Sequence, residues 1–327
     1  MSAGAVGRDE IDQLTEAGHF DALRRGIALE IAGVLPNVSQ WHRFLGRLFL
    51  FFGVTLLIAA IGYFVAYNWD EMGRFAKIAL LEIGVIVAAL AAARFAPDDL
   101  RSRAALLGAV LLTGPLLAFI GQTYQTGADT YELFRAWALL VLPWVLVSRW
   151  KILWCFWLLI ANVAVALYFA QAWRPLMGSV LDHHGALAHL VLNALFLLAM
   201  EWAGQGRLVG AGRSAERLAL TLVIGSATFL YLHFLFDSHE RAFWELLVSI
   251  VVFIAAWCWY RLGRLDMVAL ALWAFAGIGV VVATVGKLLG QGFAESFGFL
   301  LLGGTIIGLS AWAASWLRRL HKTTEAQ

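Results

Sequence analysis

Ten apolar runs of about 20 residues follow one another between residues 48 and 317. At 1.5 Å per helical residue, a run of that length matches the ~30 Å hydrocarbon core of a bilayer. No other feature restricts the chain as strongly, because in lipid every backbone N–H and C=O must be paired internally, which leaves helices or closed barrels. The runs occupy 48–67, 76–94, 104–123, 133–148, 151–173, 185–203, 218–236, 242–260, 266–286 and 297–317. The expected fold is therefore all-α, a polytopic transmembrane helical bundle of about ten spanning helices. Composition agrees: only 14% of the residues are charged, where soluble domains carry about 25%. Cys155 and Cys258 lie inside runs and read as small buried apolar groups, neither a disulfide nor a thiolate metal pair.

Charge placement orients the chain. One set of loops, with the termini, carries fifteen Lys and Arg near run ends, among them Arg43, Arg47, Arg101, Arg103, Lys151, Arg217 and Arg264. The alternate set carries six: Arg74, Lys77, Arg135, Arg174, Arg241 and Lys287. The richer set belongs in the cytoplasm, so both termini are expected there. Trp69, Trp150, Trp173, Trp202, Trp244 and Trp316 fall near run ends, as an interfacial aromatic belt requires.

Three regions result. Residues 1–44 are expected to form a short cytoplasmic amphipathic segment, 45–317 the transmembrane domain, and 318–327 a cytoplasmic tail. In the first, Phe20, Leu23, Ile27, Ile31 and Val34 recur at helical spacing. Leu35-Pro36 should end that helix, and Ser39 is a candidate cap for the next. An offset of 167 residues pairs Asp70 with Asp237, Arg74 with Arg241 and Arg94 with Arg261. This suggests a parallel repeat of runs 1–4 and 7–10, although apolar identities in such a chain carry little weight.

The most unusual stretch is Gly121-Gln122-Thr123-Tyr124-Gln125-Thr126-Gly127-Ala128-Asp129-Thr130, in the outer loop after the third run. Amides, hydroxyls and two glycines at this density exceed what a helical hairpin needs. Gly114-Pro115 precedes it and Pro143 follows, so the third run is expected to break and the short fourth to tilt or break. Interrupted helices are tolerated where they line a cavity or pack on protein, and they point to transporter sites. Gln122, Tyr124, Gln125 and Asp129 are thus candidate ligand-binding residues, with Arg135 nearby. The structural alternative is that they cap helix ends and satisfy one another. Another outer turn, Tyr67-Asn68-Trp69-Asp70, offers Asn68 or Asp70 as a cap for the second span.

These two turns, with Arg74-Phe75-Ala76-Lys77, resemble domain-of-unknown-function family 2157 of predicted bacterial membrane proteins. The similarity runs from about residue 26 to residue 170. It implies a bacterial inner membrane and a polar outer loop typical of the family; it implies no activity.

Ionisable groups inside spans are functional candidates. Glu82 lies within the second run, and its structural alternative is an ion pair with Lys77 or Arg135. Asn162, Asn193 and Glu245 read as interhelical hydrogen-bonding groups. Five of the eight histidines, His183, His184, His189, His233 and His239, fall on the outer side near Asp182, Asp237 and Glu240. Imidazole with carboxylate suits zinc or a related ion, with His184, His233 and Asp237 as candidate ligands; the alternative is solvated, interfacial histidines. No phosphate-binding loop, nucleophile elbow or dinucleotide fingerprint is present in the sequence. Three readings remain open: a permease or receptor for a small polar ligand, a non-catalytic scaffold or complex subunit, and a membrane enzyme with an outer metal site. Enzyme activity is the least expected, and no cofactor is expected. The bilayer is the expected surrounding, a membrane-protein partner or homo-oligomer is a candidate, and nucleic acid is not.

Overall fold

The computed structural model describes residues 8–19, 21–32, 34–68, 71–125, 127–173, 183–203, 212–236, 243–289 and 298–325. Among these no strand occurs, and 89% helix accounts for the fold. Two short helices, α1 (Arg8–Glu16) and α2 (Ala22–Ile31), precede ten long ones. These are α3 (Val38–Tyr67), α4 (Arg74–Arg94), α5 (Leu100–Tyr124), α6 (Thr130–Ser148), α7 (Lys151–Tyr168), α8 (His183–Ala203), α9 (Ser214–Phe236), α10 (Phe243–Cys258), α11 (Met267–Leu289) and α12 (Phe299–Glu325). Wider π-helical turns, Phe169–Trp173 and Trp259–Gly263, extend α7 and α10. Among the described residues, ten helices are long and apolar enough to cross a membrane. Together they make the chain a multi-pass membrane protein.

The chain divides into two compact units, Met1–Lys77 with Ile86–Ala109, and Ile78–Val85 with Val110–Gln327. In the first unit, α1 and α2 pair through buried Ile11 and Leu29 and an Arg25–Asp12 bridge of 2.6 Å. The apolar face expected around Ile27 and Ile31 is exposed; Phe20 lies outside the described residues. Helix α3 starts at Asn37, not at Ser39. Asn37 accepts from the Gln40 amide at 2.8 Å, and the Gln40 side chain accepts from the Asn37 amide at 3.1 Å. This reciprocal box satisfies two amides that Ser39 would leave unpaired. Likewise Asn68 closes the end of α3, donating to the Phe64 carbonyl at 2.9 Å, while Gly73 begins α4. Asp70, Asp237 and Arg241 lie outside the described residues, so of the suggested repeat's pairs Arg94 and Arg261 remain, each near the end of a span.

In the second unit α9 is central. Its Ala215, Ala219 and Ala227 are fully buried, small enough to let backbones approach, which is how helices associate where lipid is as apolar as the side chains. Leu220, Ile224, Tyr260, Ala269, Leu270 and Leu320 form one core cluster; Leu190, Val223 and Leu230 form another. Indoles supply polar links between helices: Trp157 donates to the Ala138 carbonyl and Trp273 to the Phe253 carbonyl, each at 2.9 Å.

Neither proline breaks its helix. Pro115 lies within a continuous α5 and Pro143 within a continuous α6. A proline removes one intrahelical hydrogen bond, and both helices run on through their exposed prolines. The Trp137 indole donates to the Val110 carbonyl at 2.9 Å just before Pro115. The same ring lies so close to Gly114 that a Cβ there would sit 2.6 Å from it.

Candidate functional site

The α5–α6 turn is built by two backbones in the left-handed region, Gln125 at φ 45° and Gly127 at φ 67°. Glycine tolerates that conformation; glutamine adopts it at a cost. Thr126 lies outside the described residues. The turn lets α6 fold back beside α5, and a cleft of about 930 Å³ opens between them. Its lining includes Gly114, Pro115, Leu117 and Trp137, together with the polar Gln122, Asp129, Glu132 and Arg135.

Three of the six ligand-binding candidates therefore meet at one cleft: Gln122, Asp129 and Arg135. Asp129 occupies the N-cap position of α6, yet its side chain makes no capping hydrogen bond. Arg135 is held by Glu132 at 3.5 Å and lies over the Tyr131 ring at 5.9 Å, and it lines the same cleft as Asp129. Tyr131 is itself braced, edge-on to Tyr168 at 5.2 Å. Tyr124 and Gln125 are exposed and lie off the lining; Glu82 is exposed on α4 and is not part of it. A mostly apolar lining with a few charged groups is the usual make-up of a small-molecule site.

The histidines occupy a second place. His183 opens α8, His233 lies in the last turn of α9, and Glu245 lies in the first turn of α10. His233 Nδ1 is 3.0 Å from Glu245 Oε2, and His183 Nδ1 is 3.7 Å from Glu245 Oε1. The two rings are 5.4 Å apart between centroids. Of the expected metal ligands, His233 belongs to this group. His184 is exposed, its ring 4.1 Å from that of His183, and Asp237, like His239, Asp182 and Glu240, lies outside the described residues. His189 turns elsewhere, meeting Asn162 at 2.8 Å beside an Asn162–Asn193 pair. Glu245 read as a lone polar group in sequence. The available signal was its position one turn into a span that starts beside the loop following His233.

At the opposite helix ends the charged loops form a network. Glu201 accepts from Arg213, from Arg264 at 3.0 Å and from the Tyr260 hydroxyl at 2.9 Å. Asp266 caps α11 through the Val268 and Ala269 amides and pairs with Arg217 at 3.1 Å and Arg213 at 3.3 Å. Burial pushes the Asp266 carboxyl up, but the Arg217 hydrogen bond, the Ala269 amide and both guanidinium charges outweigh it and hold the group below its ordinary value. Lys151 and Glu216 form a further pair, with both side chains buried.

Residues 30–154 match the family described as Predicted membrane protein (DUF2157). The match is somewhat shorter than the resemblance expected from about 26 to 170. It contains α3 to α6 with every residue of the cleft, and it ends before the histidine group. No curated protein and no solved structure matches the chain.

Proposed function

We propose that this protein binds a small amphiphilic ligand in the α5–α6 cleft, as a receptor or permease of the bacterial inner membrane. The fifteen-to-six bias of Lys and Arg supports cytoplasmic termini, and with them a cleft at the outer face. One observation carries the reading. Among the described residues, the side chains of Gln122 and Asp129 have no hydrogen-bond partner, and both face the cleft beside Arg135. A mostly apolar lining with an anion and a cation fits a molecule with an apolar body and a zwitterionic or amide-rich head.

The experiment is thermal unfolding of the detergent-purified chain against a panel of amino acids, small peptides and short-chain lipids. A ligand that binds only the folded state at a hundred times its dissociation constant raises stability by about 2.7 kcal/mol. The wild type should shift with at least one member, and a folded Gln122→Ala/Asp129→Ala variant should not. A variant that melts earlier by itself, with no ligand shifting the wild type, returns the motif to a structural role.

A further inference from the structure

We infer that His183, His233 and Glu245 form a binding site for a divalent transition-metal ion of the zinc class, separate from the α5–α6 cleft. One donor atom from each residue lies within 4.8 Å of the others. Ligands about 2.1 Å from a tetrahedral ion stand roughly 3.4 Å apart. The observed 3.0 Å and 3.7 Å imidazole-to-carboxylate separations bracket that value. The donor atoms of the two imidazoles lie within the same 4.8 Å, so all three residues are close enough to reach one ion.

The carboxylate supplies the second, independent observation. Glu245 is completely buried, and among the described residues its Oε1 has no hydrogen-bond partner. A carboxylate in the outer reach of a span is costly unless a cation compensates it. Its Oε2 meets His233, whereas Oε1 points toward His183 at a distance too long for a hydrogen bond. An ion seated between the two imidazoles and this oxygen would satisfy it. Two nitrogens and one oxygen suit zinc, cobalt or nickel better than magnesium or calcium, which prefer all-oxygen shells. Three protein ligands leave a coordination position for water. The donors come from three helices, α8, α9 and α10, so the ion would also clamp their ends together.

The test uses the full-length protein in detergent, stripped with a chelator, desalted and titrated with zinc chloride. Retained metal and thermal unfolding are both measured. The wild type should hold about one zinc per chain and melt higher with zinc than without. Glu245→Gln and His233→Ala should each weaken binding by more than the roughly 10–100-fold that losing an outer-shell partner costs, and the zinc-dependent shift should vanish. His184→Ala should bind as the wild type does. If Glu245→Gln fails to fold, His183→Gln, at a half-buried position, gives the same reading. Folded wild type that retains no zinc overturns the site and leaves a hydrogen-bonded imidazole–carboxylate cluster. Wild-type affinity in folded Glu245→Gln or His183→Gln overturns it equally. Neither outcome bears on the cleft, which shares no residue with this group.

Discussion

Lys151 and Glu216 give the sharpest test of how this bundle is held together. The lysine opens α7, the glutamate lies in the first turn of α9, and their side chains are 4% and 6% exposed. The second carboxylate oxygen, Oε2, has no hydrogen-bond partner among the described residues, so Lys151 is the main compensation for this charge. In a Lys151→Met variant the chain must either keep an unpaired carboxylate in apolar surroundings or fold with it neutralised. Removing one partner of a buried pair costs roughly 3–5 kcal/mol. At about 2–4 °C per kcal/mol, Lys151→Met should melt about 6–20 °C lower, and Glu216→Gln should fall substantially too. The double variant Lys151→Met/Glu216→Met removes both charges and keeps similar volume. It should return to within about 1.5 kcal/mol of the wild type. Melting curves of all four proteins in one detergent, followed by tryptophan emission, decide the matter. A Lys151→Met protein that melts like the wild type would refute the reasoning. So would a double variant that loses the sum of the two single effects, since the charges would then contribute independently.

Gly114→Ala should lower stability by about 1–3 kcal/mol despite alanine's better helix propensity, because the Trp137 ring 2.6 Å from the new Cβ is tethered to the Val110 carbonyl; melting of the purified variant checks it. Arg149 ends α6 at φ 49°, so Arg149→Gly should raise stability by about 0.5–1 kcal/mol, and a lower melting temperature would contradict that. The depressed Asp266 carboxyl should stabilise the fold fully above its unfolded value of about 3.9. Its contribution should fade as pH falls through the lower folded value. A melting profile from pH 6 to pH 3 should show this acid-side loss in the wild type and a smaller one in Asp266→Asn.

The sequence by itself determined that this is an all-α, multi-pass membrane protein, because the ~30 Å apolar slab allows few other ways to bury such runs. It also singled out the Gly121–Thr130 stretch, since polar density between apolar runs is a local property. Pairing decided the rest, and pairing is not local. Lys151 counted as one loop charge among many and turned out buried against Glu216, 65 residues away. Glu201 gathers two arginines and a tyrosine at separations of 12 to 63 residues. Pro115 and Pro143 looked like breaks, but a proline removes one hydrogen bond and leaves the rest of the helix its own, so both helices run through. Gln122, Asp129 and Arg135 reach one cleft across a connection in which Gln125 and Gly127 are left-handed. Tyr124 and Gln125 belong to the same motif but are exposed and not among the residues that line the cleft. His183, His233 and Glu245 come from three helices, and spacing along the chain carries no record of which helix ends meet.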